Sequence, residues 1–131
     1  MSMNSRLGSA YTGSDAANFF HVDLDIDDVS AEASYFKAVP FNARLARVYG
    51  IVDGAIATAD LTITIKNNAG TSMGGFTIPT AGSAAGSSAS FNPTDTNVFT
   101  QGQKIEFALS GAGAGGSPRG HITAIFERLG D

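Results

Sequence analysis

The stretch HVDLDIDD, residues 21–28, places four aspartates in eight positions and interleaves them with Val22, Leu24 and Ile26. Carboxylates at that density suggest a cation site, and the two histidines, His21 and His121, could join carboxylates in acid–base work. Spacing argues against a single shared ion. Alternate residues of a strand lie about 6.6–7 Å apart on one face, so Asp23 and Asp27 would stand about 13 Å apart. Calcium instead collects roughly 6–8 oxygens from a loop wrapped round the ion, usually with a glycine at the sharp turn. This run has no glycine and keeps its apolar alternation. A column of carboxylates costs little in water, where two like charges 7 Å apart repel by about 0.6 kcal/mol. The expectation is therefore a strand whose acidic face is covered by water or by basic groups of another chain, with Asp23 and Asp25 as contact residues. The surviving form of a metal site is a weak one at Asp27, Asp28 and Glu32, nearer a turn.

Other routes to chemistry are thinner. Each histidine stands at the start of an expected strand on its polar side, and reads as a surface or interface residue. No serine lies in a nucleophile elbow: the G-x-S-x-G string Gly70-Thr71-Ser72-Met73-Gly74 falls between two expected strands, with no helix after it. GAGAGG, residues 111–116, is followed by Ser117-Pro118-Arg119 and a strand, without the Lys-Ser/Thr of a phosphate loop or the helix of a dinucleotide fingerprint. The chain has no cysteine, so thiolate nucleophiles, disulfides and Cys-based zinc sites are excluded. With 15% charged residues and a net charge of −4 it has no basic footprint for nucleic acid. No apolar run approaches the roughly 20 residues that span a bilayer, and the N-terminal residues lack a signal-peptide core. The expectation is a soluble protein made in the cytosol, not an enzyme, with no cofactor and with neither nucleic acid nor membrane as partner.

The elements that would carry these residues have a period of two. Val22, Leu24 and Ile26 share one face; Tyr35, Lys37 and Val39 alternate with Phe36 and Ala38 up to Pro40. RLARVYGIV, with Leu45, Val48 and Ile51, runs extended to the turn at Asp53-Gly54. DLTITIK sets Leu61, Ile63 and Ile65 against Thr62, Thr64 and Lys66, and Asn67-Asn68-Ala69-Gly70 closes it. Met73–Ile78, a short strand at Phe91, Lys104–Ser110 and Gly120–Arg128 complete about eight strands with no convincing helix. Strand starts every 10–15 residues, with Gly, Pro or Asn between them, are the pattern of an all-β fold, a jelly-roll-like β-sandwich over 19–131. Residues 1–18 show neither period and read as an extended N-terminal arm, pinned by a neighbouring subunit, with Arg6, Leu7 and Tyr11 as contacts. Arg44 and Arg47, three apart on a regular strand, should face opposite sides, one of them near an interface. Basic residues 37, 44 and 47 follow an acidic stretch at 15–32, so acidic and basic surfaces could meet between copies or pair within the chain.

Taken in order, LTITIK, the TIP with its GSAAG loop, the NPT connection, the QGQKIEFALSG strand and the terminal amphipathic strand resemble the small β-sandwich head decoration, or cement, proteins of tailed bacteriophages. The resemblance covers roughly residues 34–128 and rests on order and loop composition. It implies a virion structural protein on the capsid exterior, made in the host cytoplasm. The major capsid protein would be its partner, and it would sit as a homotrimer with a terminal arm gripping neighbours. A tail, baseplate or fibre component would share this composition. A carbohydrate-binding sandwich would also share it, but Tyr11, Tyr35 and Tyr49 are scattered and tryptophan is absent.

Overall fold

The computed structural model describes residues 18–111 and 118–130. The expected arm, residues 1–18, lies outside them except for Asn18, as does most of the GAGAGG loop. Nine strands and no helix occupy the described residues: β1 (Phe19–Ile26), β2 (Ala33–Ala38), β3 (Ala43–Val52), β4 (Leu61–Lys66), β5 (Ser72–Ile78), β6 (Ser88–Phe91), β7 (Val98–Phe99), β8 (Lys104–Ser110) and β9 (Gly120–Arg128). Eight of these are the strands that the alternation marks out. The ninth, β7, is a two-residue pairing with Ala43 and Arg44 of β3, too short to show a period.

The strands pair antiparallel in a nested order. β1 pairs with β9, β2 with β8, β3 with β6 and β4 with β5, like one long ribbon folded in half. Two further pairings, β3 with β9 and β4 with β8, roll the ribbon into the sheets β1-β9-β3-β6 and β2-β8-β4-β5. This is the winding of a jelly roll, and it brings the two ends of the domain together: the Arg128 amide donates to the Asn18 carbonyl and the Leu129 amide to the Asn42 carbonyl.

Alternation becomes layering. In β4 Leu61, Ile63 and Ile65 are buried while Thr62, Thr64 and Lys66 are half-buried, and in β8 Ile105, Phe107 and Leu109 point inward. β-Branched and aromatic side chains fit this pleated, one-sided burial, which is why these segments are strands. The turn after β4 is built by Asn67, whose Oδ1 accepts from the amides of Ala69 and Thr71, while Gly70 takes the left-handed φ of 83° that the turn requires. Phe99, Phe107 and Phe126 fill the interior; Phe126 stacks on Phe20 at 5.1 Å and meets Phe99 edge-on at 5.6 Å. Aromatic pairs in such geometries add about 0.5–1.5 kcal/mol to their burial.

Gly50, in β3, leaves room for a ring of the opposite sheet. A Cβ there would fall 2.6 Å from the ring of Phe76, which reaches across from β5. Gly50→Ala should therefore lower stability by about 1–3 kcal/mol in urea unfolding, the range of overpacked cores. Gly54→Ala, where a Cβ meets only Pro118 at 3.5 Å, should cost none. Equal stability of the two variants would contradict this close approach.

Candidate functional site

The outer face of the β1-β9-β3-β6 sheet carries every described residue that the sequence marks as a partner contact. Register sets its rows. Phe19, Glu127 and Arg44 lie abreast on β1, β9 and β3, followed by His21, Ile125 and Arg47, then Asp23, Thr123 and Tyr49, then Asp25, His121 and Ile51. The face is thus acidic along its β1 edge and basic and aromatic along β3, with Tyr49, Ile51 and Phe19 exposed. The other proposed contacts, Arg6, Leu7 and Tyr11, lie outside the described residues.

The expectation that Arg44 and Arg47 face opposite sides is corrected by a β-bulge. Leu45 pairs with Phe126 and Arg47 with Ile125, so Ala46 is the extra residue, and the alternation slips by one between the arginines. Leu45 and Val48 then both enter the core, and both arginines emerge on the outer face. Asn97, the buried polar side chain among the described residues, supports the irregular backbone. Its Nδ2 donates to the Leu45 carbonyl at 2.8 Å and to the Pro93 carbonyl at 3.4 Å, and its own carbonyl accepts from the Leu45 amide at 2.9 Å.

Most charges on the face have intramolecular partners. Arg44 donates to Glu127 at 2.8 Å. Arg47 donates through Nε to Asn92 at 2.6 Å and through a terminal nitrogen to the Tyr49 hydroxyl at 3.1 Å, with its guanidinium 5.5 Å from the Tyr49 ring centre. His21 Nδ1 stands 3.1 Å from Asp23 Oδ2.

His121 is not a lone strand histidine: Nδ1 faces Asp25 Oδ1 at 2.8 Å and Nε2 faces Asp53 Oδ2 at 3.0 Å. The hydrogen bond with Asp25, then that with Asp53, raises its pKa above the ordinary 6.5, against a smaller desolvation effect. The same bond from His121 holds Asp25 below its ordinary 3.8, helped at longer range by Arg119 and Lys37. The signs give a window. The His121 contribution to stability is complete below 6.5 and lost as pH rises through its higher folded value. The Asp25 contribution is present above 3.8 and lost as pH falls through its lower folded value.

The residues weighed for a weak metal site disperse. Asp27 projects into solvent, its carboxylate 99% exposed and 4.0 Å from Arg119. Asp28 Oδ1 accepts from the amide and hydroxyl of Ser30, the capping bond of a tight turn. Glu32 Oε2 accepts from the Gly111 amide at 3.3 Å. No group of three or more His, Asp or Glu side chains among the described residues converges to hold a metal ion. Two surface depressions, about 210 Å³ beside Asn67, Asn68 and Gln103 and about 170 Å³ beside Ser83, Ser87 and Ser88, are lined without ionisable side chains.

Sequence reasoning placed Asp23 and Asp25 on an outer face but missed Asp53, which carried no signal beyond its place in an Asp-Gly turn. It also missed Asn97, whose only cue was a polar residue between two prolyl and aromatic segments, FNPTDTNVF.

No protein-family model matches the chain, and no curated protein matches it in sequence. Among solved structures it is similar to a chain of the acidic stable capsid structure of Helicobacter pylori bacteriophage KHP30, with TM-score 0.57 and 14% identity over 83% of this chain and 86% of that one. It is likewise similar to a chain of the cyanophage Pam1 capsid asymmetric unit, with TM-score 0.51 and 12% identity over 84% and 83%. A CBM36-1 domain of a xylanase from the hindgut metagenome of Trinervitermes trinervoides overlays at TM-score 0.39 and 16% identity, over 78% and 73%, too distant to carry an argument. The likeness to the phage chains is one of fold.

The bulge makes a testable demand on Asn97. Asn97→Leu removes the donor to Leu45 and should cost about 1–3 kcal/mol in urea unfolding. Asn97→Asp, which aims a carboxylate at two carbonyls, should cost more. A loss below about 0.5 kcal/mol for both would mean the bulge stands without this support.

Proposed function

We propose that this protein is a non-enzymatic virion structural protein that decorates the outside of an assembled phage head and stabilises it, as a homotrimer bound to the major capsid protein. The observation that carries the reading is the jelly-roll likeness to chains of two phage capsid structures, over more than four-fifths of this chain and of each of theirs. The resemblance seen in the second half of the sequence points the same way.

The surface chemistry supports a binding role. The outer face of the β1-β9-β3-β6 sheet mixes exposed apolar side chains with charges at fixed rows, which suits recognition of a matching protein surface. An enzymatic reading finds less support. Both ring nitrogens of His121 face carboxylates, so neither is free to take a proton from a hydroxyl nucleophile. A glycan platform would set several aromatic rings on one face. Here Tyr49 shares its face with Phe19, two rows away.

Binding to the assembled lattice and not to free subunits would lower the free energy of the lattice by mass action. Asp23, Asp25, Arg44 and Arg47 are the contacts assigned to the sheet face, and Arg6, Leu7 and Tyr11 those assigned to the arm.

Purified protein should bind isolated heads saturably in co-sedimentation and delay their disruption on heating. Arg47→Glu should weaken that binding about tenfold or more, as reversal of a contact charge does, and removal of residues 1–17 should weaken it while the β-rich circular dichroism stays unchanged. Heads that remain bare at saturating protein would overturn the decoration reading.

A further inference from the structure

His121 holds a position that only one protonation state satisfies. A neutral imidazole has one N–H donor and one lone pair, whereas the imidazolium has two donors. Both ring nitrogens here lie within 3.0 Å of a carboxylate oxygen, Asp25 on one side and Asp53 on the other. Ionised carboxylates accept only. The doubly protonated ring therefore matches both neighbours, and the neutral ring would turn a lone pair against one of them.

The three residues come from separate elements, 96 and 68 positions apart along the chain. Asp25 lies on β1, an edge strand whose one sheet neighbour is β9. Asp53 follows the end of β3, and its amide donates to the Arg119 carbonyl at 2.9 Å. The remaining charges around the ring are few. Arg119 precedes β9 and stands 4.0 Å from Asp27, at the end of β1, and Lys37 of β2 acts on Asp25 at longer range. The row neighbours Ile51 of β3 and Thr123 of β9 are uncharged. The bond with His121, helped at longer range by Arg119 and Lys37, holds Asp25 below its ordinary 3.8, so the group that changes state near neutral pH is the imidazole. With Asp25 74%, Asp53 53% and His121 37% exposed, protons exchange with solvent directly.

We propose that Asp25, His121 and Asp53 form a proton-operated clasp: the imidazolium ties edge strand β1 and the β3–β4 turn to β9, and loss of its proton frees a carboxylate on the outer face. Below its titration, Asp25 is committed to His121. Above it, the face gains one unit of negative charge, and whichever of Asp25 and Asp53 meets the lone pair of the ring is open to a cationic group of a partner. The consequence for binding rests on the head-decoration reading; the clasp itself does not.

Imidazole 15N spectra of the isolated protein test the clasp. Both ring nitrogens should show protonated shifts at pH 6 and titrate together, with a midpoint above the ordinary 6.5 of a free histidine side chain. Asp25→Asn and Asp53→Asn preserve shape at exposed positions, and each should lower the midpoint, with unchanged amide spectra elsewhere showing that the fold is kept. A midpoint at or below the free value, or one that neither variant moves, overturns the clasp.

Head binding measured across the same pH range tests its consequence. The affinity of the unaltered protein should rise about two- to fivefold through the midpoint, the scale of one exposed ion pair, and that of His121→Gln should stay level. Identical profiles overturn the regulatory role and leave the clasp standing. Absence of head binding at every pH overturns the decoration reading, again without touching the clasp.

Discussion

A period of two along each strand, closed over one shared apolar interior, is the constraint on which the rest of the molecule depends. Once Leu24 and Ile26 enter the core, Asp23 and Asp25 have no place but the outer face. The nested pairing then sets what lies beside them. Because the first strand lies against the last, the carboxylates of β1 are read against Thr123 and His121, nearly a hundred residues away in sequence. Gly50 and Phe76 show how close the two layers come: the interior is filled by large rings where one strand yields space, so the register has little freedom to slip.

The outer face of the β1-β9-β3-β6 sheet is shaped by the place where that period is interrupted. Without the bulge at Ala46, a strand holding Arg44 outward would send Arg47 inward, and a guanidinium in the core would cost several kcal/mol unless paired. One extra residue brings both arginines to the same side and keeps Leu45 and Val48 buried. The irregular backbone is tolerated because Asn97, itself buried, supplies the hydrogen bonds that the regular ladder leaves unmet. A packing device thus determines a surface property: Arg47 stands beside Tyr49 and Asn92, clear of the Arg44–Glu127 pair.

What was legible in the sequence follows from the range of the physics involved. Alternation and turn chemistry are local, so DLTITIK with its NNAG turn and the acidic outer side of HVDLDIDD could be read directly. The jelly-roll-like sandwich followed from the number and spacing of such segments. The bulge was not legible, because ARLARVYG alternates acceptably in either register, and the choice between them is made by Phe126 and Ile125 on β9 and by Asn97. The pairing of His121 with Asp25 and Asp53 was not legible either. It exists only once three distant segments share a sheet end, and neither Asp53 nor His121 differs in composition from an ordinary turn or strand residue.

The same distance between cause and effect bears on why such a face would suit a decorating protein. A contact repeated over many copies on a lattice does not need great strength at each one, because linked sites raise total avidity without new contacts. It needs rigidity, so that little ordering entropy is lost on binding, and a charge pattern that discourages wrong partners. Internal pairing of Arg44 with Glu127, and of Arg47 with Asn92 and Tyr49, holds long side chains in one geometry before any partner arrives. The exposed pairs add little to stability. Their effect is pre-organisation: a sheet face whose charges are already placed before a partner arrives.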